Sequence, residues 1–358
     1  MVGELRRSLE LQGFRRQSKK FASHGVHQAA SDAPLLLVAC SGGRDSLALA
    51  YGASIVCPML GLRCGAILID HGLHPNSDAV ARHAAHQCAS MGLSPVTTKA
   101  VTVNHSKAGE ESDARDARYA GIIAYARQVE ASAVMLAHTL DDQAETVLIG
   151  LLRSAGTQAL AGMPEMSIKG GVRFIRPMLN MRRADSTMIC MDAGIDFWDD
   201  PTNGDDIASD HSLPVQYPLR SRIRHDLMPA LDACSGSDAA ALLAGNTVQA
   251  REDLEYMDAQ ARLLAHDTCI VEESERSVQT AKLQATQLSS QPVALRKRVI
   301  IMALNQCGIP FSTRQLDAID ALIAHWHGQG VVNLPIGFSA NRQDNVIHLC
   351  KDGGHANR

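Results

Sequence analysis

Short apolar runs alternate with stretches of helical periodicity through the first two hundred residues. Leu35–Cys40 follows Pro34 as an unbroken apolar run, the pattern of a strand buried on both faces. Ser46–Cys57 then carries apolar residues at helical spacing. Cys64–Asp70 ("CGAILID") reads as a second buried strand. Ser77–Met91 reads as a helix capped by Asn76 or Ser77, and Pro95–Val103 as a third strand. Glu111–Glu130 is helical, Ala133–Ala137 ("AVMLA") is a fourth strand, and Asp141–Leu152 is a helix. Val172–Ile175 adds a candidate fifth strand. Strand and helix alternate throughout, which predicts a doubly wound α/β fold: a parallel sheet with helices on both faces.

The pattern changes near residue 200. "DDPTNGDDIASDHSLPVQYP" (Asp199–Pro218) is rich in Pro, Gly, Asp, Asn and Ser and predicts a long loop. Beyond it, Asp238–Leu264, Gln291–Cys307 and Ser312–His325 predict helices, and Val331–Cys350 two short strands with a polar turn. The expected organisation is a basic N-terminal arm or helix (1–30), an α/β domain (31–228) and a smaller, mostly helical domain with a short α/β tail (229–358). No repeat of fixed period interrupts it.

Composition narrows the class. At 358 residues, 46% of them hydrophobic, the chain is long enough for two domains with real cores. No apolar run is long enough to span a bilayer. Nine cysteines are scattered without a C-x-x-C, which argues against a disulfide framework, a zinc ribbon and an iron–sulfur cradle. Buried, reduced thiols in a cytoplasmic protein fit better. Arg6, Arg7, Arg15, Arg16, Lys19 and Lys20 face only Glu4 and Glu10 at the N-terminus. This is no secretory signal; it reads as a basic lead helix able to touch a polyanion, with a transit peptide left open. Net charge is −4, so nothing global signals nucleic-acid binding. A local cluster, Arg220, Arg222, Arg224 and His225, is either a phosphate-binding patch or an ordinary solvated face.

The chemistry concentrates at "VACSGGRDSLALA" (Val38–Ala50). In an open parallel sheet, ligands bind at the carboxyl ends of the strands, and Ser41–Ser46 lies there. Gly42 and Gly43 permit a tight turn and close backbone approach. Asp45 and Ser46 begin a helix whose free N–H groups and positive dipole end face the loop. This arrangement suits a phosphate group. Neither G-x-x-x-x-G-K-[ST] nor G-x-G-x-x-G is present. A plain glycine turn before a capped helix is the alternative.

The hexamer S-G-G-x-D-S resembles the PP-loop of the ATP pyrophosphatases, which split ATP into AMP and pyrophosphate. Further stretches resemble one branch, the tRNA(Ile)-lysidine synthetase family. These are "LIDHGLHPNSD" (Leu68–Asp78), "ARDARYAGI" (Ala114–Ile122) and "LAHTLDDQAETVLIGLLRSAGTQALAGM" (Leu136–Met163). "IRPML" (Ile175–Leu179), "WDDPTN" (Trp198–Asn203) and "RSRIRHDLMPAL" (Arg220–Leu231) follow in order. The resemblance covers about residues 34–231. The chain departs from the family at Gly204–Leu219, an insertion, and at Ser221, where asparagine is common. It is also shorter at its C-terminus than the longer members.

The resemblance implies ATP and Mg²⁺ as cofactors, with tRNA(Ile) bearing a CAU anticodon and free lysine as partners. Ser41, Gly42, Gly43, Arg44, Asp45 and Ser46 would hold ATP, with Asp70 and His71 near the adenosine. Asp45, Arg115, Arg118, His138 and Asp142 would be catalytic. Asp45, Asp141, Asp142 and Glu145 would hold Mg²⁺, a cation that takes oxygen ligands; the acids at 141, 142 and 145 can share a helix face. Arg220, Arg222 and Arg224 would touch tRNA. Simpler readings stay open: dipole capping for Asp141, a surface pair for Arg115 and Arg118, and a satisfied structural residue for His138. The implied reaction adenylates the wobble cytidine and then joins lysine to its carbon 2. A PP-loop tRNA thiolation enzyme and a non-catalytic nucleotide sensor are the alternatives. Monomer and homodimer are both open.

Overall fold

Leu35–Cys40 forms the central strand of a six-stranded sheet, as its two-sided burial requires. The architecture comes from a computed structural model. It describes all residues except 16–28, 71, 73–75, 103–109, 154–155, 209, 274–278 and 352–358, and the backbone alone of 110–112, 273 and 279. The chain forms two compact units, Met1–Ala250 and Arg251–Arg358. The composition-based boundary at residue 228 lies earlier than this division.

In the first unit the order is α1 (Val2–Leu11), β1 (Leu35–Cys40), α2 (Arg44–Leu60), β2 (Arg63–Asp70), α3 (Ser77–Ser90) and β3 (Val96–Ala100). Then come α4 (Glu110–Gln128), β4 (Ala133–Met135), α5 (Leu140–Leu152), β5 (Met166–Lys169), β6 (Val172–Ile175) and α6 (Arg183–Asp192). After a long connection follow α7 (Leu219–Arg222), a π-helical turn (Ile223–Leu227), α8 (Met228–Ser235) and α9 (Ala239–Thr268), which runs past residue 250. The sheet order is β3-β2-β1-β4-β6-β5. All pairings are parallel except β5 with β6.

Alternation along β1 divides the core. Leu36, Val38 and Cys40 join the cluster under α1, α2 and α6; Leu35 and Leu37 join the cluster under α4. On the α4 face Tyr119 meets Phe174 edge-on, with ring centroids 5.3 Å apart. The N-terminal helix is part of this core, since Leu5 and Leu9 are fully buried in it. A Cβ built on Gly52 of α2 would lie 2.8 Å from Leu5 Cδ2, so that glycine admits α1. On its exposed side Arg6 pairs with Glu10 and Arg7 with Glu4. Arg16, Lys19 and Lys20 lie outside the described residues.

Two elements of the first unit were not expected. The strand β5 pairs with β6 across Gly170 and Gly171, both at positive φ, and this Gly-Gly hairpin signal stands in the sequence. The helix α6 has only weak amphipathic patterning, and its start is fixed by Asp185, whose carboxylate accepts the Arg182 N–H at 2.9 Å.

The second unit carries β7 (Cys269–Glu273), β8 (Gln279–Gln284), α10 (Ala285–Ser289), α11 (Val293–Gln306), α12 (Thr313–Ala324), β9 (Val332–Leu334), β10 (Phe338–Gln343) and β11 (Val346–Lys351). Its strands form an antiparallel sheet in the order β7-β8-β11-β10-β9. Helices still dominate it, but the sheet is larger than the two expected strands, which are β10 and β11. The strands β7 and β8 are rich in Glu, Gln, Thr and Lys and hide their pairing. Among the described residues, no helix is long and apolar enough to cross a membrane. Replacing Leu9 by Ala should destabilise the fold by about 3 kcal/mol in chemical denaturation, since the helix is a core element. Unchanged stability would show that α1 is only an appendage.

Candidate active site

The strand β1 ends at Cys40 and α2 starts at Arg44, leaving three residues to turn. Gly42 sits at φ +85°, and a Cβ there would lie 3.2 Å from Val80 Cγ1 and 3.3 Å from Ala84 Cβ of α3. Both the conformation and the space favour glycine. Ser46 organises the turn from below. Its hydroxyl accepts the Ser41 N–H at 3.1 Å and donates to the Gly43 carbonyl at 2.9 Å. The Trp198 N–H donates to the Gly42 carbonyl at 3.0 Å. The loop is therefore held rigid with the first turn of α2 beneath it.

The strand order reverses direction at β1 and β4, and the crevice of a doubly wound sheet opens at that switch point. A cavity of about 350 Å³ lies there. It is lined by the loop, by Leu136–His138 after β4, by Arg118 and Tyr119 of α4, by Arg183 of α6, and by Trp198–Asp200 and Asn203. The helix α5 starts beside it with a capping box in which the Asp142 carboxylate accepts the Thr139 N–H at 2.9 Å.

Several predicted residues meet at this cavity. Asp45 is largely buried, and its Oδ1 has no hydrogen-bond partner. Burial, with Asp142 nearby, pushes its pKa up to about 6. A charged Asp45 thus has Arg183 and Arg224 near it but neither in ion-pair contact. His138 is half-buried with Nδ1 enclosed and unpartnered, and desolvation, together with the Arg176, Arg115 and Arg220 charges, drives its pKa down to about 3. At neutral pH it is an uncharged imidazole, able to orient a ligand and poorly suited to donate a proton. Arg118 lines the cavity with no carboxylate within ion-pair reach among the described residues, and burial lowers its pKa. Arg115 is exposed and lies 5.4 Å from the centroid of the Tyr119 ring. Asp70 ends β2 and accepts the Gly72 N–H at 3.0 Å; His71 lies outside the described residues.

Other predicted residues are already engaged. Arg44 does not point free at the loop. It pairs with Asp199 and, at 2.8 Å, with Asp205, and stacks 5.3 Å from the Phe197 centroid. The expected four-carboxylate cation set is not assembled: among the described residues, no three of His, Cys, Asp and Glu gather as a metal cluster. Asp141 accepts the Arg183 N–H at 2.7 Å and Arg182 Nη1 at 3.1 Å. Glu145 is 1% exposed and is gripped by Arg224 at 2.6 and 3.0 Å and by Arg220 at 3.0 Å. Helix spacing did put these acids on one face, but arginines from later elements took up two of them. Less closely engaged are Asp45, with its orphaned oxygen, and Asp142, whose Oδ1 is 3.6 and 3.7 Å from Arg220 and Arg224. Arg220 and Arg224 are inward-facing, not a solvated face, and Arg222 Nε is buried without a partner. Gln143 is structural: its amide spans the Met163 N–H and carbonyl at 2.6 and 2.8 Å.

Sequence reasoning missed Arg183, and with it the segment that pins Arg44. The Gly204–Leu219 segment is tied to the π-helical turn. His225 Nδ1 lies 2.8 Å from Asp226 and Nε2 3.0 Å from the Ile207 carbonyl, while the Leu213 N–H donates to Asp226 at 3.2 Å. Two acceptors on one imidazole favour the protonated ring, and Asp226 and Ile207 raise the His225 pKa. A signal for Arg183 was present, since an acid two residues later marks a helix start.

Residues 12–231 match the PP-loop domain family, and residues 283–348 match the TilS substrate binding domain. The tRNA(Ile)-lysidine synthase of Bifidobacterium longum subsp. infantis is 48% identical over 96% of this chain and 93% of its own. The chain belongs to the tRNA(Ile)-lysidine synthase family. Another member, from Bifidobacterium animalis subsp. lactis, is 46% identical over 100% of this chain and 96% of its own. The Streptomyces coelicolor synthase is 40% identical over 87% and 84%. Membership of a PP-loop family implies that the chain binds ATP.

Two outcomes follow from this geometry. Gly42→Ala should strain the loop by about 1–3 kcal/mol and weaken ATP binding about tenfold or more, read by calorimetry; wild-type affinity would contradict the turn described. His225 has a folded pKa above its unfolded value, so its contribution is present at low pH and fades as pH rises through the folded pKa. His225→Gln should therefore lower the melting temperature more at pH 6 than at pH 9. An equal loss at both would rule out the charged bridge.

Proposed function

We propose that this chain is an ATP-dependent ligase that joins lysine to carbon 2 of the wobble cytidine in tRNA(Ile) with a CAU anticodon. The products are lysidine, AMP and pyrophosphate. One observation carries the reading at the site: a rigid glycine turn at a helix start stands beside a largely buried carboxylate, Asp45, one of whose oxygens has no hydrogen-bond partner. Membership of the lysidine synthase family supplies the substrate class.

In the first step the cytidine O2 attacks the α-phosphorus, and the bond to the bridging oxygen of pyrophosphate breaks. In the second, the lysine Nε attacks carbon 2, the amine loses a proton, and AMP leaves with the former O2. The N–H groups at the start of α2 and the hydroxyl of Ser41 meet the departing pyrophosphate; such preoriented dipoles carry much of a catalytic effect. Arg118 offers its unpaired guanidinium to phosphate, a group it binds well. His138, uncharged, fixes a ligand by hydrogen bonding. Asp45 and Asp142 fit a divalent cation, since one carboxylate oxygen is buried and unpartnered. Mg²⁺ held there would neutralise charge on the triphosphate. A single-stranded anticodon loop with its cytidine splayed out is the form such a pocket reads. We place the reaction in the cytoplasm. The thiolation alternative is disfavoured: Cys190 donates to the Arg44 carbonyl at 3.4 Å, and burial, with Asp45 adding, pushes its pKa up to about 11.

Incubation with ATP, labelled lysine and an unmodified CAU transcript should place lysine on the RNA and release AMP. Omitting RNA should abolish incorporation. Asp142→Ala should keep its fold and lose about a hundredfold or more in turnover. Label absent from the RNA with the wild-type chain would end this reading.

A further inference from the structure

We propose that Arg183, at the start of α6, is the side chain that binds the β- and γ-phosphates of ATP and holds the pyrophosphate as it leaves. The inference rests on the ligase reading above. Three arginines line the cavity: Arg44, Arg118 and Arg183. Arg44, the one inside the loop motif, is neutralised by Asp199 and Asp205. Arg118 enters from α4, and its charged surroundings are Arg115 and Tyr119. Arg183 enters from α6, whose Cys190 is buried in the same core cluster as α2. Its charged neighbours are Arg224, Asp45, Arg44 and Asp142, all at the loop or beside α5. Of the two unpaired guanidinium groups among the described lining residues, Arg183 is thus the one whose charged neighbours lie at the phosphate turn.

Its guanidinium is largely buried, and no ion pair or hydrogen bond engages it among the described residues. Asp45 is near enough to act on it but outside ion-pair distance. A buried cation with no direct partner is costly, so a ligand that pairs with it binds well. The backbone around it is set with care. The Arg183 N–H donates to Asp141 at 2.7 Å, and the Arg182 N–H donates to Asp185 at 2.9 Å. Asp141, expected on a cation, instead fixes where the Arg183 side chain springs from. The ligand must be an anion, and an arginine fork matches phosphate oxygens bidentately. When the bond from cytidine O2 to the α-phosphorus forms, the bond to the bridging oxygen breaks. Its electron pair leaves on pyrophosphate, and Arg183 meets that new charge while keeping its own protons.

The test is binding of inorganic pyrophosphate to the full chain, measured by calorimetry with Mg²⁺ present. Arg183→Gln should weaken pyrophosphate binding and raise KM for ATP about tenfold to a hundredfold, with AMP affinity changed less than about twofold. Arg183→Lys should recover part of the loss, and it stands in should the glutamine variant fail to fold. In an Asp45→Asn background the same substitution should still weaken binding by a similar factor. Pyrophosphate affinity of Arg183→Gln equal to wild type would overturn the proposal. A loss that vanishes in the Asp45→Asn background would also overturn it, by showing that Arg183 acts only through Asp45. Wild-type chain that binds pyrophosphate yet transfers no lysine would defeat the ligase reading, while the binding data would still decide Arg183.

Discussion

Glu145 is a carboxylate almost without solvent, held by two guanidinium groups that come from residues more than seventy positions away. Removing either arginine would leave buried charge uncompensated, a large cost in a low-dielectric interior. This clamp fastens α5 to α7 and to the turn after it. Through α5 it fixes Asp142 and His138 beside the phosphate turn. Around the site, charges are matched by opposite charges: Arg44 with Asp199 and Asp205, Arg182 with Asp141 and Asp238, Arg220 and Arg224 with Glu145.

The groups left over mark the chemistry. Asp45, His138, Arg118 and Arg183 lack direct ion-pair partners or carry unpartnered atoms in or beside one cavity. Their presence has an energetic cost in the free protein, which a triphosphate with its cation would offset. A fold that pairs most of its buried charges and leaves these few open is organised for an anionic ligand, and the direction of each shift agrees. Burial raises Asp45 and lowers His138, Arg118 and Arg183.

The segment Gly204–Leu219 has a structural meaning within this scheme. Asp205 completes the grip on Arg44, and His225 with Asp226 ties the segment down at Ile207 and Leu213. A loop that reads as spacer in sequence is one wall of the support behind the phosphate turn.

Much of the fold was legible because buried parallel strands are apolar on both faces, and β1, β2 and β4 announced themselves that way. The glycine turn and its helix were legible too, since backbone conformation there demands particular residues. The hairpin of β5 and β6 went unread although Gly170 and Gly171 signalled it, and the polar strands β7 and β8 carried no such mark. Sequence alone therefore determined the sheet, the phosphate turn and the family, because local pattern and short motifs are written in neighbouring residues. Tertiary structure alone decided which charges are spent on each other. Asp141, Glu145, Arg44, Arg220 and Arg224 all looked available, and only their distant partners show that they are taken. Arg183 looked ordinary, and only its unpaired place beside Asp45 and Arg44 in the cavity sets it apart. Pairing of charges across the fold is long-range in sequence and short-range in space, so no motif records it.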